Sequence, residues 1–291
     1  MSGSSPTDAG AVLAAIRAQR PLVHCLTNEV TIGRVADALG AVGALPVMAS
    51  APEEAAEMVE QAQALVLNLG TPSAARWAAA RAAGARARSI GVPVVLDPVG
   101  CGATAWRTSQ ARRLFDEVRA TIVRGNGPEV AALAGLPPVA AGYKLRGVTA
   151  VPHTADPAAA GAGPQGDGLE RRRQLAMQAS RALGCTVVLT GRTDVVARSD
   201  QAWCRPADLP LLERVVGAGD VVTALIAAGR AVIADDVAAS WSGLAIFGRA
   251  AHLAVEGAAG PGSFWPRLLD ALSGLRGADL SDQPCDDGAH R

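Results

Sequence analysis

Aromatic side chains are scarce in this chain: Phe, Trp and Tyr make up 3% of its 291 residues, although 49% are hydrophobic. A core built on rings is excluded, so the interior has to be packed from Ala, Val and Leu, and Ala-rich stretches favour helices set close against a sheet. Net charge is also missing, with 27 Lys plus Arg against 27 Asp plus Glu. That balance argues against nucleic acid or an anionic membrane as partner and leaves a small molecule. The five cysteines (Cys25, Cys101, Cys185, Cys204 and Cys285) include no C-x-x-C pair and are odd in number, the usage of a reducing compartment. No apolar run reaches the roughly 18 residues of a spanning helix. The N-terminus has no basic region, and its one apolar run, 11–16, is stopped by Arg17. A cytoplasmic protein without membrane attachment is expected. No G-x-x-x-x-G-K-[ST] motif occurs, which excludes a P-loop nucleotide site.

What the chain does have is alternation. Apolar runs at 22–26, 44–48, 64–69, 92–96, 120–124 and 186–190 read as strands. Helical stretches at 12–19, 31–39, 55–63, 73–86, 109–118, 130–134 and 170–183 fall between and around them. Strands apolar throughout, separated by helices, predict a mostly parallel sheet covered on both faces. Residues 194–197 and 201–205 read as a small antiparallel pair, and mostly helices follow 220 as far as about 275. A stretch of Ala, Gly, Pro and Asp at 154–168 predicts a flexible insertion, and 278–291 a disordered polar tail. The expected organisation is one α/β domain over 1–277 with no separate lid domain.

The stretch Val215-Val216-Gly217-Ala218-Gly219-Asp220, running into an apolar helix, is the strongest chemical signal. Glycines let the backbone take positive φ and approach a ligand closely, and the helix start turns unpaired N–H groups toward the loop. Gly217, Ala218 and Gly219 therefore form a candidate anion hole, and Asp220 a candidate general base for a substrate hydroxyl. The alternative is an ordinary turn with Asp220 as helix N-cap. Other polar residues stand at the carboxyl ends of the predicted strands, where doubly wound sheets bind ligands. They are Asn28, Asp97, Arg124 with Asn126 and Glu129, and Thr190, with Met48 after the second strand. Each has a plainer reading: Asn28 as a helix cap, Met48 as core, Asp97-Pro98 as a turn, Arg124 and Glu129 as a surface ion pair. Taken together they suit phosphoryl transfer, which needs a cation near the transferred group (Arg124), carboxylates for Mg²⁺ (Asp97 and Glu129), donors to the phosphate oxygens and a base.

The motifs Pro21-Leu22-Val23-His24-Cys25-Leu26-Thr27-Asn28, Pro46-Val47-Met48-Ala49, Asn68-Leu69-Gly70-Thr71, Asp97-Pro98-Val99-Gly100, Arg124-Gly125-Asn126 with Glu129, and Thr190-Gly191 resemble, in order and spacing, the hydroxyethylthiazole kinases of thiamine salvage. The resemblance covers about 12–254 and implies a ribokinase-like fold. It also implies phosphorylation of the primary hydroxyl of 4-methyl-5-(2-hydroxyethyl)thiazole by ATP with Mg²⁺. By resemblance Asn28, Met48 and Gly217 line the thiazole pocket, Arg124, Thr190 and Asn126 meet ATP, and the protein is a homotrimer with active sites between subunits. The chain departs from the family pattern at Asp220, where Cys is usual, and at Ala218, where Thr is usual; Asp is what most other ribokinase-like kinases carry there. Rival readings are a kinase for another small alcohol such as hydroxymethylpyrimidine, a nucleotide-dependent dehydratase of hydrated nicotinamide cofactors, and a binder without turnover.

Overall fold

The computed structural model describes residues 6–137, 143–146, 149–152 and 167–280. In chain order the elements are α1 (Ala9–Gln19), β1 (Leu22–Leu26), α2 (Ile32–Ala41), β2 (Leu45–Val47), α3 (Ala55–Gln61), β3 (Ala64–Asn68), α4 (Ala74–Ile90), β4 (Val94–Asp97) and α5 (Ala105–Val118). There follow β5 (Ile122–Gly125), α6 (Gly127–Leu133), β6 (Tyr143–Arg146), β7 (Thr149–Pro152), α7 (Asp167–Leu183), β8 (Thr186–Leu189), β9 (Thr193–Arg198) and β10 (Gln201–Pro206). Helices α8 (Ala218–Val232), α9 (Asp236–Val255) and α10 (Pro261–Gly274) complete the series.

Several boundaries follow from capping chemistry. The Ser73 hydroxyl accepts the Arg76 N–H at the start of α4, and the Thr104 hydroxyl accepts the Arg107 N–H at the start of α5. Helix α4 runs past the expected end at 86 to Ile90, where Gly91 closes it in the left-handed conformation. Its neighbour α5 begins before the expected 109.

The main sheet has eight strands in the order β10-β9-β8-β5-β4-β3-β1-β2. From β2 to β8 the neighbours are parallel, and β9 and β10 add an antiparallel edge. The antiparallel pair foreseen at 194–205 is thus part of the main sheet. The separate antiparallel pair β6–β7 was not foreseen in the sequence. Strand alternation divides the core into two. Val23, Cys25, Val66, Val95, Ile122 and Val188 face a layer drawn from α1, α2, α8, α9 and α10, whereas Leu65, Leu67, Leu96, Val123 and Leu189 face one drawn from α3 to α7.

Helix α8 is the centrepiece of the first layer. Every residue from Val221 to Gly229 is buried, as its all-round apolar sequence predicts. Residues 154–166 of the expected insertion lie outside the described residues, and α7 already begins at 167. Residues 278–280 of the expected tail are ordered instead, in the 3₁₀ turn Gly277–Leu280 that buries Leu280; 281–291 lie outside the described residues. Among the described residues no helix is long and apolar enough to cross a membrane.

Candidate active site

The alternation that sorts the core also builds the site. Asn68 lies two residues after Val66, Asp97 two after Val95, Arg124 two after Ile122 and Thr190 two after Val188, so all four belong to the sheet face covered by α8. Their strands, β3, β4, β5 and β8, are consecutive neighbours in the sheet, with Thr190 just past the end of β8. The N-terminus of α8 meets them at the carboxyl ends of the strands.

Helix α8 is capped by Gly217, not by Asp220. Gly217 has φ +93°, and a Cβ there would stand 2.5 Å from Thr31 Cγ2, so glycine is needed for both conformation and space. Gly219 serves differently: it sits within the first helical turn, and a Cβ would overlap the Arg124 guanidinium. The first amide to bond inside the helix is that of Val221, to Gly217 O, which leaves the N–H groups of Ala218, Gly219 and Asp220 for another acceptor. Upstream of the cap, Arg34 of α2 donates to Val216 O at 2.5 Å while its guanidinium lies over the Trp265 ring at 4.5 Å.

Asp220 is held by three side chains. Asn68 Nδ2 donates to its Oδ1 at 2.9 Å, and Asn28 Nδ2 and the Thr31 hydroxyl donate to its Oδ2 at 2.8 and 2.5 Å. A carboxylate oxygen can accept twice, so Oδ1 keeps a lone pair for a substrate hydroxyl. The orientation of the Asn68 amide is fixed by the Gly70 N–H, which donates to its Oδ1. Asn28 does not cap α2, whose N-cap is Thr31 without a side-chain cap bond; its Oδ1 accepts the Val30 and Thr31 N–H groups of the turn that leads into that helix. Arg76 ties these two loops together from α4, donating to the carbonyls of Thr27, Asn68 and Gly70.

Asp97 is fully buried, and its Oδ2 accepts from Arg124 (3.1 Å), Thr223 (2.9 Å) and Asn68 (3.3 Å). Its Oδ1 is buried with no partner among the described residues. Burial pushes Asp97 up to about 6 against the pull of the Arg124 charge, with Asp220 adding repulsion. Arg124 also donates to the Thr190 hydroxyl at 2.5 Å, and its Nε is another buried atom without a partner among the described residues. The alternative of a surface pair between Arg124 and Glu129 is overturned, since Arg124 pairs with Asp97 inside the protein.

Glu129 and Asn126 form a capping box at the head of α6. Glu129 Oε2 accepts the Asn126 N–H and Oε1 the Gly100 N–H, so this carboxylate also ties the β4 exit loop to α6. Burial pushes Glu129 up to about 7, and the nearby Asp97 charge adds to the rise. Asn126 Oδ1 is engaged with the Glu129 N–H. Met48 follows β2 at the sheet edge, half-buried against the α8-side core. Among the described residues no group of three or more His, Cys, Asp or Glu side chains gathers as a metal cage. No pattern in the sequence marks Thr31, Thr223 or Arg76, and Asn68 stands out there only within the motif Asn68-Leu69-Gly70-Thr71.

A mostly parallel sheet whose strand ends present a buried Arg–Asp pair to the glycine-capped head of a buried helix has the architecture of a ribokinase-like α/β protein. A solved ribokinase-like superfamily protein from Enterococcus faecalis V583 superposes with TM-score 0.56 at 14% identity, over 86% of each chain, and shows the shared fold. Closer relatives narrow the class. Residues 13–277 match the Hydroxyethylthiazole kinase family, and the chain belongs to that family. A hydroxyethylthiazole kinase of Methanoculleus marisnigri is 43% identical over 270 residues, spanning 93% of this chain and 90% of its own. The structure of a hydroxyethylthiazole kinase protein from Pyrococcus horikoshii OT3 matches with TM-score 0.80 and 34% identity, over 94% of this chain and 95% of that one. The match runs beyond 254, where the resemblance read from sequence motifs ended.

Proposed function

We propose that this protein transfers the γ-phosphoryl group of ATP to the primary hydroxyl of 4-methyl-5-(2-hydroxyethyl)thiazole. The observation that carries the reading is Asp220, a carboxylate with an open lone pair in the first turn of α8, beside three spare helix N–H groups and Arg124. In this reading Asp220 Oδ1 takes the hydroxyl proton as the substrate oxygen bonds to phosphorus. The bond from the γ-phosphorus to the bridging oxygen breaks, and ADP leaves. The amides of Ala218 and Gly219 and the Arg124 guanidinium receive the charge on the transferred group. Thr190 steadies Arg124, and Asn28, Met48 and Gly217 line the alcohol's pocket.

The donor set suits Mg²⁺, which takes one or two carboxylates together with phosphate oxygens and water. Asp97 Oδ1 is buried with no partner among the described residues. Glu129, both of whose oxygens already accept backbone N–H groups, would act through water. Bound with the nucleotide, Mg²⁺ would neutralise phosphate charge.

A homotrimer with sites between subunits belongs to the same reading. Val30 and Val216, 64% and 62% exposed, flank the head of α8, and β2 is an open sheet edge with Leu45 exposed; another copy would cover such apolar groups. A cytoplasmic setting agrees with the free thiols of Cys25, Cys101 and Cys185.

Purified protein with ATP and Mg²⁺ should phosphorylate the thiazole alcohol in preference to hydroxymethylpyrimidine, followed by ³¹P NMR. Turnover of the pyrimidine alone, or repair of hydrated nicotinamide cofactor without phosphorylation of the thiazole, would replace this reading. Sedimentation equilibrium should give three times the chain mass.

A further inference from the structure

His24 is fully buried near the middle of β1, and the chemistry described above makes no use of it. Its Nε2 lies 2.8 Å from Ala49 O. A carbonyl oxygen only accepts, so Nε2 carries the ring proton and Nδ1 keeps a lone pair, for which the described residues provide no partner. Burial is the main reason this imidazole holds a second proton less readily than usual, with the Ala49 carbonyl and the Glu54 charge acting the other way. The ring is therefore a neutral donor aimed at one backbone atom.

That atom lies where the fold gives the chain least support. Strand β2 has three residues, stands at the sheet edge and pairs only with β1, the last register pair being His24 with Val47. Beyond Val47 the ladder has ended, yet Met48 must be presented at a defined depth against the α8-side core. The next backbone hydrogen bonds, from the Glu54 and Ala55 N–H groups to Ala51 O, close a turn on itself and anchor it to nothing else. Among the described residues, the His24–Ala49 bond is the side-chain hydrogen bond that reaches residues 48–50.

The geometry points to His24 as a positioning residue that, through Ala49 O, fixes the Met48–Ala49 segment so that the Met48 side chain forms a wall of the alcohol's pocket. This rests on the reading of Met48 as a substrate contact. Without the bond the segment gains freedom that has to be removed each time the alcohol binds. The cost falls on the alcohol's KM and leaves phosphoryl transfer and nucleotide binding alone.

Steady-state kinetics on the full chain test this with isosteric replacements. His24→Met fills the space without a donor, His24→Asn places an amide near the Nδ1 position, and His24→Gln carries one to the Nε2 position. Met and Asn should raise the KM for the thiazole alcohol about three- to tenfold, with kcat and the KM for ATP within about twofold of the parent. Gln should restore the alcohol KM. An unchanged alcohol KM in the Met variant, a Gln variant no better than Asn, or a parallel rise in the KM for ATP would overturn the assignment. Failure of both the Gln and Met variants to fold would likewise overturn it, in favour of plain core packing. Met48→Ala separates the two ideas. If it leaves the alcohol KM unchanged, the pocket reading falls and His24 with it; if it raises that KM while His24→Met is silent, only the role of His24 is lost.

Discussion

At the scale of single residues, the strongest test concerns Asp220. The alternative in which this residue merely caps α8 is removed by Gly217, which occupies the cap, so Asp220→Asn probes the base and the hydrogen-bond cage alone. Positioned general bases contribute about 10²–10⁴-fold, and kcat should fall by that order with ATP and thiazole binding largely kept. The Asn variant also turns an NH₂ toward donors on Asn28, Thr31 or Asn68, a mismatch worth about 1–3 kcal/mol of stability, readable in denaturant melts. Turnover within twofold of the parent would take Asp220 out of the mechanism. Asp220→Cys should keep some activity with its pH optimum moved upward, because a thiol of pKa about 8.5 is mostly protonated at neutrality. Gly219→Ala makes the complementary point. The added methyl would occupy the seat of the Arg124 guanidinium, so the KM for ATP should rise and kcat fall, and the melting temperature should drop as well, because Arg124 would be pushed off the buried Asp97 carboxylate it pairs with. An unchanged KM for ATP would mean that Arg124 has no part in holding the nucleotide.

At the scale of elements, what carries Asp220 is the contact between α8 and α9. The helices cross at Gly243, where a Cβ would stand 2.7 Å from Ile226 N and from Ile226 Cγ1. Gly243→Ala would therefore push α8 away from its seat, at about 1–3 kcal/mol by overpacking, and should lower kcat as well as stability because the head of α8 moves with its body. Chemical denaturation and kcat on the same sample check both; a destabilised enzyme with parental kcat would show that the head of α8 is held by the sheet alone. This crossing was not legible in the sequence, which marks α8 as buried but does not name its neighbour. What was legible has a simple cause. Buried parallel strands announce themselves by apolar runs, and the two-residue period then assigns Asn68, Asp97, Arg124 and Thr190 to one face. Helix ends were read less well. Thr104 and Gly91 were available as the start of α5 and the end of α4, but the Ala- and Arg-rich interiors masked them. Thr31 and Thr223 could not be found by pattern, because each matters only through a carboxylate 189 or 126 residues away. The same holds for Glu129, whose capping box was written in the sequence while its bond to Gly100 was not.

At the scale of the whole molecule, the buried carboxylates make both stability and activity depend on pH. Asp97, Glu129 and Asp194 are pushed up, mainly by burial, to about 6, 7 and 6. A raised carboxyl pKa means that the folded chain keeps its proton longer than the unfolded one. The stability from these groups is complete below the unfolded values near 4 and is lost as pH rises through about 6 to 7. His24 acts oppositely: its lowered pKa adds stability as pH climbs to about 6.5 and nothing beyond. Glu117 and Asp279, held low, matter only in acid. Without ligands, the melting temperature should therefore fall between about pH 4.5 and 7, less steeply than the carboxylates alone would give because His24 opposes them, and level off above about pH 7. Activity should show the reverse limb if Asp97 and Glu129 hold Mg²⁺ as proposed, since the cation would need these carboxylates ionised and would compete with their protons. Asp97 faces Arg124, Asp220, Asn68 and Thr223, and Glu129 faces Asp97. Of these neighbours Arg124 alone carries positive charge, and the Thr223 hydroxyl adds a hydrogen bond, yet burial and the repulsion between acids prevail, so a bound cation has much to gain by displacing the proton. The acid limb of kcat/KM should fall near pH 6–7 and move down by as much as about one unit when Mg²⁺ is raised tenfold at fixed ATP. Asp97→Asn should lower activity and abolish that Mg²⁺-dependent movement. A limb that stays at one pH whatever the Mg²⁺ concentration would place the cation away from Asp97 and Glu129.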